Sequence, residues 1–425
     1  MSRWIHEWNP EDATFWSTTG RRVARRNLIW SILAENVGFS IWLVWSVTAT
    51  RLPAAGFHYS TEQLFTLVSL PALVGALMRF PYTFAVPRFG GRNWTIVSAL
   101  LLLIPTLSLA LLVQRPDTPF WLMALAACSA GLGGGNFASS MANISFFYPD
   151  REKGLALGLN AAGGNLGVSI VQLLVPLCIA TGHLGNAGLM WLAPIAVATL
   201  GAALFMDNLS TARGNARDQL AVARNKHTHI LSLLYIGTFG SFVGYSAAFP
   251  LLLKTQYPAV TINLAFVGPL IGSLARPVGG WLSDRLGGAR VTAWTFVVMG
   301  LCTAGVIQFA HSIVGFLAFF FALFLASGVG NGSTFKMIPS IFREKREAAA
   351  VIGISSAVGA LGGFFIPRAL GASIKATGNA THAFTLFLAA YVGCLLLTWW
   401  FHGRRIAVDG AQCPPEVASH TSQSA

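Results

Sequence analysis

Leu73-Val-Gly-Ala-Leu-Met-Arg79, running on through Arg88-Phe-Gly-Gly91, aligns without a gap on Leu270-Ile-Gly-Ser-Leu-Ala-Arg276, which runs on through Arg285-Leu-Gly-Gly288, at a constant offset of 197 residues. Each copy is an apolar run broken by one arginine and closed by a basic, glycine-containing loop. Two more pairs share an offset of 195: Gly158-Leu-Asn-Ala-Ala-Gly-Gly-Asn165-Leu-Gly167 with Gly353-Ile-Ser-Ser-Ala-Val-Gly-Ala360-Leu-Gly362, and Gly135-Asn136-Phe137 with Gly330-Asn331-Gly332. Repeats separated by nearly half of a 425-residue chain describe two similar halves.

Outward from these strings, the chain is 54% hydrophobic and 10% charged, with a mean hydropathy of +0.61. About 20 consecutive apolar residues suffice to cross a bilayer. Such windows begin near Leu28, Glu62, Trp94, Phe120, Gly154, Gly188, Thr228, Thr261, Val291, Ser312, Glu347 and Thr381. The expected fold is therefore an all-α integral membrane protein, with about 12 transmembrane helices in two pseudo-symmetric six-helix bundles. Transporters built from such repeats place their substrate near the midplane, between the halves. The expected division is residues 1–27 as a cytoplasmic N-terminal segment, 28–206 and 228–402 as the two bundles, 207–227 as a cytoplasmic linker and 403–425 as a cytoplasmic tail.

The net charge of +13 would suggest nucleic acid in a soluble protein, but its distribution explains it otherwise. With a cytoplasmic N-terminus, twenty Lys and Arg fall on the cytoplasmic side, Arg21, Arg22, Arg25 and Arg26 among them, while Arg51, Arg115, Lys254 and Lys375 fall opposite. That asymmetry is the positive-inside pattern and places both termini in the cytoplasm. No nucleic-acid partner is implied. The five cysteines form no CxxC pair, and no HExxH, GxSxG or P-loop string occurs, so neither a metal site nor an enzyme is indicated and no cofactor is expected.

A charge near the bilayer centre costs roughly 2.5 to 3.5 kcal/mol, so each one needs a reason. Lys336 and Arg368 lie close enough to span ends to snorkel. Arg79 and Arg276 each precede a loop arginine by nine residues, about 13 Å along a helix. Their equivalent positions predict that they face each other between the halves. Only one acid, Glu35, falls inside an expected span, so an anion passing through supplies the missing counter-charge. Guanidinium presents planar paired donors to a small oxyanion. The glycine-dense stretches around Gly158, Gly163, Gly164 and Gly167, and around Gly359, Gly362 and Gly363, predict close helix approach and flexing. The loop Ser283-Asp284-Arg285-Leu-Gly-Gly-Ala-Arg290 predicts an ion-pair clamp between neighbouring helices.

Three strings carry a specific resemblance: Asn136-Phe-Ala-Ser-Ser-Met-Ala-Asn-Ile-Ser-Phe-Phe147, Gly158 to Gly167, and Gly359-Ala-Leu-Gly-Gly-Phe-Phe-Ile-Pro367. With Trp8-Asn-Pro-Glu-Asp12 they resemble the NarK-type nitrate/nitrite porter family of the major facilitator superfamily, over Trp8 to Trp400. The loop at Asp284 also resembles a major facilitator loop motif. The resemblance implies the major facilitator fold and a bacterial inner-membrane, multi-pass, monomeric transporter whose partners are nitrate, nitrite and the lipid bilayer. By motif, Arg79 and Arg276 match the anion-binding arginines. Phe137 and Phe239 match rings that sandwich the flat anion, and Tyr235 and Asn165 match further polar contacts.

The function this implies is nitrate entry in exchange for nitrite by alternating access. Two features depart from the family pattern: Ala161-Ala162 where glycines are usual, and Ala34-Glu35-Asn36 where leucines are usual. Glu35 raises the alternative of nitrate/proton symport, with its carboxylate as the proton acceptor.

Overall fold

The computed structural model describes residues 3–180, 182–212, 222–342 and 345–403. Parts of the expected linker (213–221) and nearly all of the expected tail (404–425) lie outside the described residues. Among the described residues, twelve helices are long and apolar enough to cross a membrane: α1 (Ala13–Thr48), α2 (Thr61–Phe89), α3 (Gly91–Leu112), α4 (Phe120–Phe147), α5 (Asp150–Ile179), α6 (Asn186–Phe205), α7 (Lys226–Gln256), α8 (Ile262–Leu286), α9 (Gly288–Gln308), α10 (Ile313–Ile341), α11 (Ala350–Thr377) and α12 (Thr381–His402). Lateral faces carry exposed Leu, Val, Phe and Trp side chains, as lipid solvent requires, and the buried aromatic core runs between the helices.

The first helix begins earlier than its apolar run. Asp12 caps it, its carboxylate accepting from the backbone N–H groups of Thr14 and Phe15 at 2.8 and 3.2 Å, so α1 starts at Ala13 rather than near Leu28. Hydropathy reads the end of the apolar stretch, whereas a helix continues as long as its backbone bonds and cap allow. Nor is the N-terminal segment detached from the first bundle. A two-residue strand β1 (Trp4–Ile5) pairs in parallel with β2 (Asn208–Leu209) after α6. The Trp8 indole donates to the Phe147 carbonyl at 3.3 Å, and Arg26 and Asn27 donate to Asp207 at 2.6 and 3.0 Å.

The halves meet along α2 against α11 and α5 against α8. At the start of α2 and along the later turns of α5 and α11, polar contacts join them. Lys375 pairs with Glu62 at 2.7 Å, Gln172 donates to the Ser246 carbonyl at 2.6 Å, and Arg368 donates to the Thr66 hydroxyl. Arg368 therefore binds the opposite half through Thr66 instead of merely snorkelling. Lys336 also has a specific partner: both Asp284 oxygens, at 2.8 and 2.9 Å, joining α10 to α8. The expected clamp is present, but its cation is this lysine, while Arg285 stacks on Trp281 at 4.1 Å. Lys336 and Asp284 side chains are 38% and 60% exposed, so the pair contributes at most about 1 kcal/mol.

Candidate functional site

Both arginines sit beside a proline, Arg79 two residues before Pro81 and Arg276 immediately before Pro277, each inside its helix. Proline removes one backbone donor and loosens the helix at that point. Across the interface, Tyr235 ends a regular segment of α7 and leads into a π-turn over Ile236–Gly240. Wide turns of this kind re-aim the side chains that follow and recur at functional sites. Gly237 and Gly240 make the turn's packing possible: a Cβ at Gly240 would stand 2.8 Å from the Gly359 carbonyl of α11.

Arg79 is completely buried, and Arg276 is 5% exposed. They converge on one ring. The Arg79 guanidinium carbon lies 4.6 Å from the centre of Phe137 and that of Arg276 lies 5.7 Å from it. Phe137 and Phe239 are stacked, with centroids 6.2 Å apart and planes 27° apart, and Arg79 stands 5.0 Å from Phe239. Arg79 is thus nearly equidistant from the two ring centres and occupies the mouth of the gap between them. Tyr235 stacks on Phe239 at 5.1 Å; its hydroxyl donates to Asn331 Oδ1 at 2.8 Å and accepts from Arg276 Nη2 at 3.5 Å.

Arg79 is held from both halves: Nε donates to the Gly134 carbonyl of α4 at 3.2 Å, and Nη1 to the Ser356 carbonyl of α11 at 2.5 Å. Among the described residues, neither arginine lies within ion-pair distance of a carboxylate. Arg79 Nη2, Arg276 Nη1 and Asn331 Nδ2 are buried donors that bond no protein atom. Such donors are costly unless something accepts from them. A cluster with two cations, spare planar donors and aromatic faces suits a small flat monovalent anion.

Of the residues singled out by sequence, Arg79, Arg276, Phe137, Phe239 and Tyr235 come together. Asn165 on α5 is fully buried, and neither its amide nitrogen nor its oxygen is bonded. Gly163, Gly164 and Gly167 press on α1, where an added Cβ would strike Ile32, the Glu35 carboxylate and the Asn36 carbonyl respectively. Gly359 presses on Tyr235, Gly362 on Gly240, and Gly363 on Ala72 and Val243. Gly158 differs: it is exposed and a Cβ there would meet nothing within 4 Å, so it makes no close approach. The face of α5 that carries Gly163, Gly164 and Gly167 turns away from it. Glu35 is buried on α1, where its carboxylate accepts from Ser140 and, at 2.6 Å, from Asn160.

Four participants escape a reading of the sequence: Trp42, 5.6 Å from Arg79; Phe335, 5.3 Å from Arg276 and 4.7 Å from Tyr235; Asn331; and the carbonyl of Ser356. Asn331 carries a usable signal, since it is the repeat partner of Asn136.

The Major Facilitator Superfamily sequence model matches residues 36–367 and, again, 231–412. The chain is 44% identical to the nitrate/nitrite transporter NarU of Salmonella typhimurium, covering 94% of this chain and 96% of that one. It is 38% identical to a probable nitrate/nitrite antiporter, NarK2, of Thermus thermophilus, over 97% and 98% of the two chains. A nitrite extrusion protein of Bacillus subtilis is 30% identical, over 86% of this chain and 91% of that one. Among solved structures, a bacterial homologue of the human lysosomal transporter Spinster, inward-facing and occupied, superposes with a TM-score of 0.62 over 92% of this chain and 98% of that one. At 15% identity that likeness speaks for the fold alone. With twelve membrane-length helices in a matching fold and near relatives along almost its whole length, the chain is a member of the major facilitator superfamily, within its NarK-type family of nitrate/nitrite transporters.

Proposed function

We propose that this protein carries nitrate and nitrite across the bacterial inner membrane by exchange, nitrate entering as nitrite leaves, as a monomer with both termini in the cytoplasm. One observation carries the reading. Two buried arginines flank one phenylalanine ring with spare planar donors and no carboxylate at ion-pair distance among the described residues. Either anion neutralises part of that charge and lets the halves close. Without cargo the two cations repel, so the empty carrier returns slowly and exchange outruns net flux. Asn165 is assigned a supporting contact to the anion, and Gly163, Gly164, Gly167, Gly359, Gly362 and Gly363 the close packing on which rocking depends.

The aromatic pair supplies selectivity. A flat ion between two rings needs their centres about 7 Å apart, two layers at roughly 3.5 Å each. The pair stands at 6.2 Å and has to part by only about 1 Å. A tetrahedral dianion such as phosphate is excluded by thickness and charge. Phe137→Ala and Phe239→Ala are each expected to weaken nitrate binding about tenfold and to admit bulkier anions, measured by competition uptake. Unchanged selectivity in both would remove the sandwich.

Glu35 motivates a second reading, nitrate/proton symport. Counterflow in proteoliposomes separates the two. Exchange predicts nitrate uptake driven by internal nitrite without a pH gradient; uptake driven only by inward protons, with no nitrite inside, would replace exchange by symport.

A further inference from the structure

The buried carboxylate on α1 is not isolated. Glu35 Oε2 accepts from the Ser140 hydroxyl of α4 and from Asn160 Nδ2 of α5, and Asn160 Nδ2 also reaches Ser140 Oγ at 2.9 Å. Ser140 has a second acceptor within reach, the carbonyl of Phe137, at 3.2 Å. Phe137 is the residue whose ring both arginines flank. Glu35 Oε1 bonds no protein atom and lies against Gly164, where any side chain would collide with it.

This geometry serves two protonation states without moving a heavy atom. With the carboxylate charged, Ser140 and Asn160 both donate to Oε2. With a proton on Oε2, that O–H donates to Ser140 Oγ, and the Ser140 hydroxyl turns to donate to the Phe137 carbonyl. Every donor keeps an acceptor in each state, which a purely structural buried carboxylate does not need. The charged groups that feel Glu35 are Arg276 from α8 and Arg79 from α2, with the Tyr235 hydroxyl from α7. From α4 and α5 it meets Ser140, Asn160 and Gly164, none of which titrates.

We infer that Glu35, Ser140 and Asn160 form a proton-binding site linked to the anion site, so that nitrate binding draws a proton onto Glu35. The inference rests on the anion reading of Arg79 and Arg276. A charged Glu35, though not in contact with either guanidinium, offsets the positive field of the two arginines and repels an incoming anion, and a proton on Oε2 removes both effects. Linkage is reciprocal, so each ligand strengthens the other. Exchange survives this, because nitrate and nitrite then each travel with the proton and the proton balance cancels. The proton comes from bulk water and returns there when the anion leaves.

The test is calorimetric titration of the purified protein in detergent with nitrate, in buffers of different ionisation enthalpy. The heat difference reads protons taken up per anion bound. Wild type is expected to take up a proton fraction that approaches one, with nitrate affinity rising up to about tenfold per pH unit on acidification. Glu35→Gln is expected to bind nitrate with no proton uptake and no pH dependence. Ser140→Ala keeps the carboxylate but removes the alternative donor path, so it should bind nitrate with a diminished uptake; it serves equally if Glu35→Gln does not fold. Nitrate binding by wild type without proton uptake, or uptake that persists in Glu35→Gln, overturns the inference and leaves the anion site standing. No nitrate or nitrite binding at all would remove the anion reading and this inference with it.

Discussion

Replacing Arg79 by lysine is expected to lower nitrate transport by at least about a hundredfold, while the protein still inserts and elutes as a single species on gel filtration. The guanidinium does three things that an ammonium cannot do together. It bonds the Gly134 carbonyl through Nε, bonds the Ser356 carbonyl of the other half through Nη1, and leaves Nη2 unbonded to any protein atom, the donor that the proposed anion would take. Hydrogen bonds from a charged group are worth roughly 1.5 to 3 kcal/mol each. Losing two costs a factor of a hundred or more, since about 1.4 kcal/mol is tenfold. Charge alone does not rescue the site, because lysine is a point donor without the planar fork. Arg276→Lys should be milder, about ten- to a hundredfold, since among the described residues its guanidinium makes one hydrogen bond, of 3.5 Å to Tyr235, where Arg79 makes two. Uptake near wild type in either variant would remove the anion-clamp assignment.

Gly362→Val is expected to abolish transport and to lower the thermal stability of the purified protein. A Cβ at position 362 would lie 2.5 Å from the Gly240 Cα and 2.8 Å from its carbonyl carbon. These are backbone atoms, so no rotamer change relieves the overlap, and α7 and α11 must separate. Overpacking of this sort typically costs about 1 to 3 kcal/mol. The functional loss exceeds the stability loss because Gly240 closes the π-turn that holds Phe239. Gly158→Val, on the open side of α5, is the control and should leave stability within about 0.5 kcal/mol. Equal behaviour of the two variants, followed by fluorescence-monitored melting and uptake, would show that close approach at Gly362 is irrelevant.

Arg79 and Arg276 were legible because a charge inside an apolar run is expensive enough to be conspicuous and because the same offset recurs in both halves. Twelve spans followed from the solvent itself, which demands long apolar helices. Trp42 and Phe335 left no comparable trace, since an aromatic in a span costs little and has many ordinary uses, and Asn331 is marked only by its place in the repeat opposite Asn136. Ser356 contributes only its carbonyl, which every residue has. The start of α1 is not legible in hydropathy, which marks the apolar run near Leu28, whereas the helix begins where Asp12 caps it.

The sequence by itself determined the number of spans, their duplication, the identity of the two deep cations and the presence of one deep acid. The tertiary structure decided what those charges meet. It set both arginines against one ring, tied Arg79 to a carbonyl 277 positions away, and gave Glu35 partners 105 and 125 positions away. The reason lies in the range of the forces. Transfer into lipid acts residue by residue and is written along the chain, but a hydrogen bond or a ring contact is fixed within a few ångströms. Only the packing of helices distant in sequence brings its two ends together.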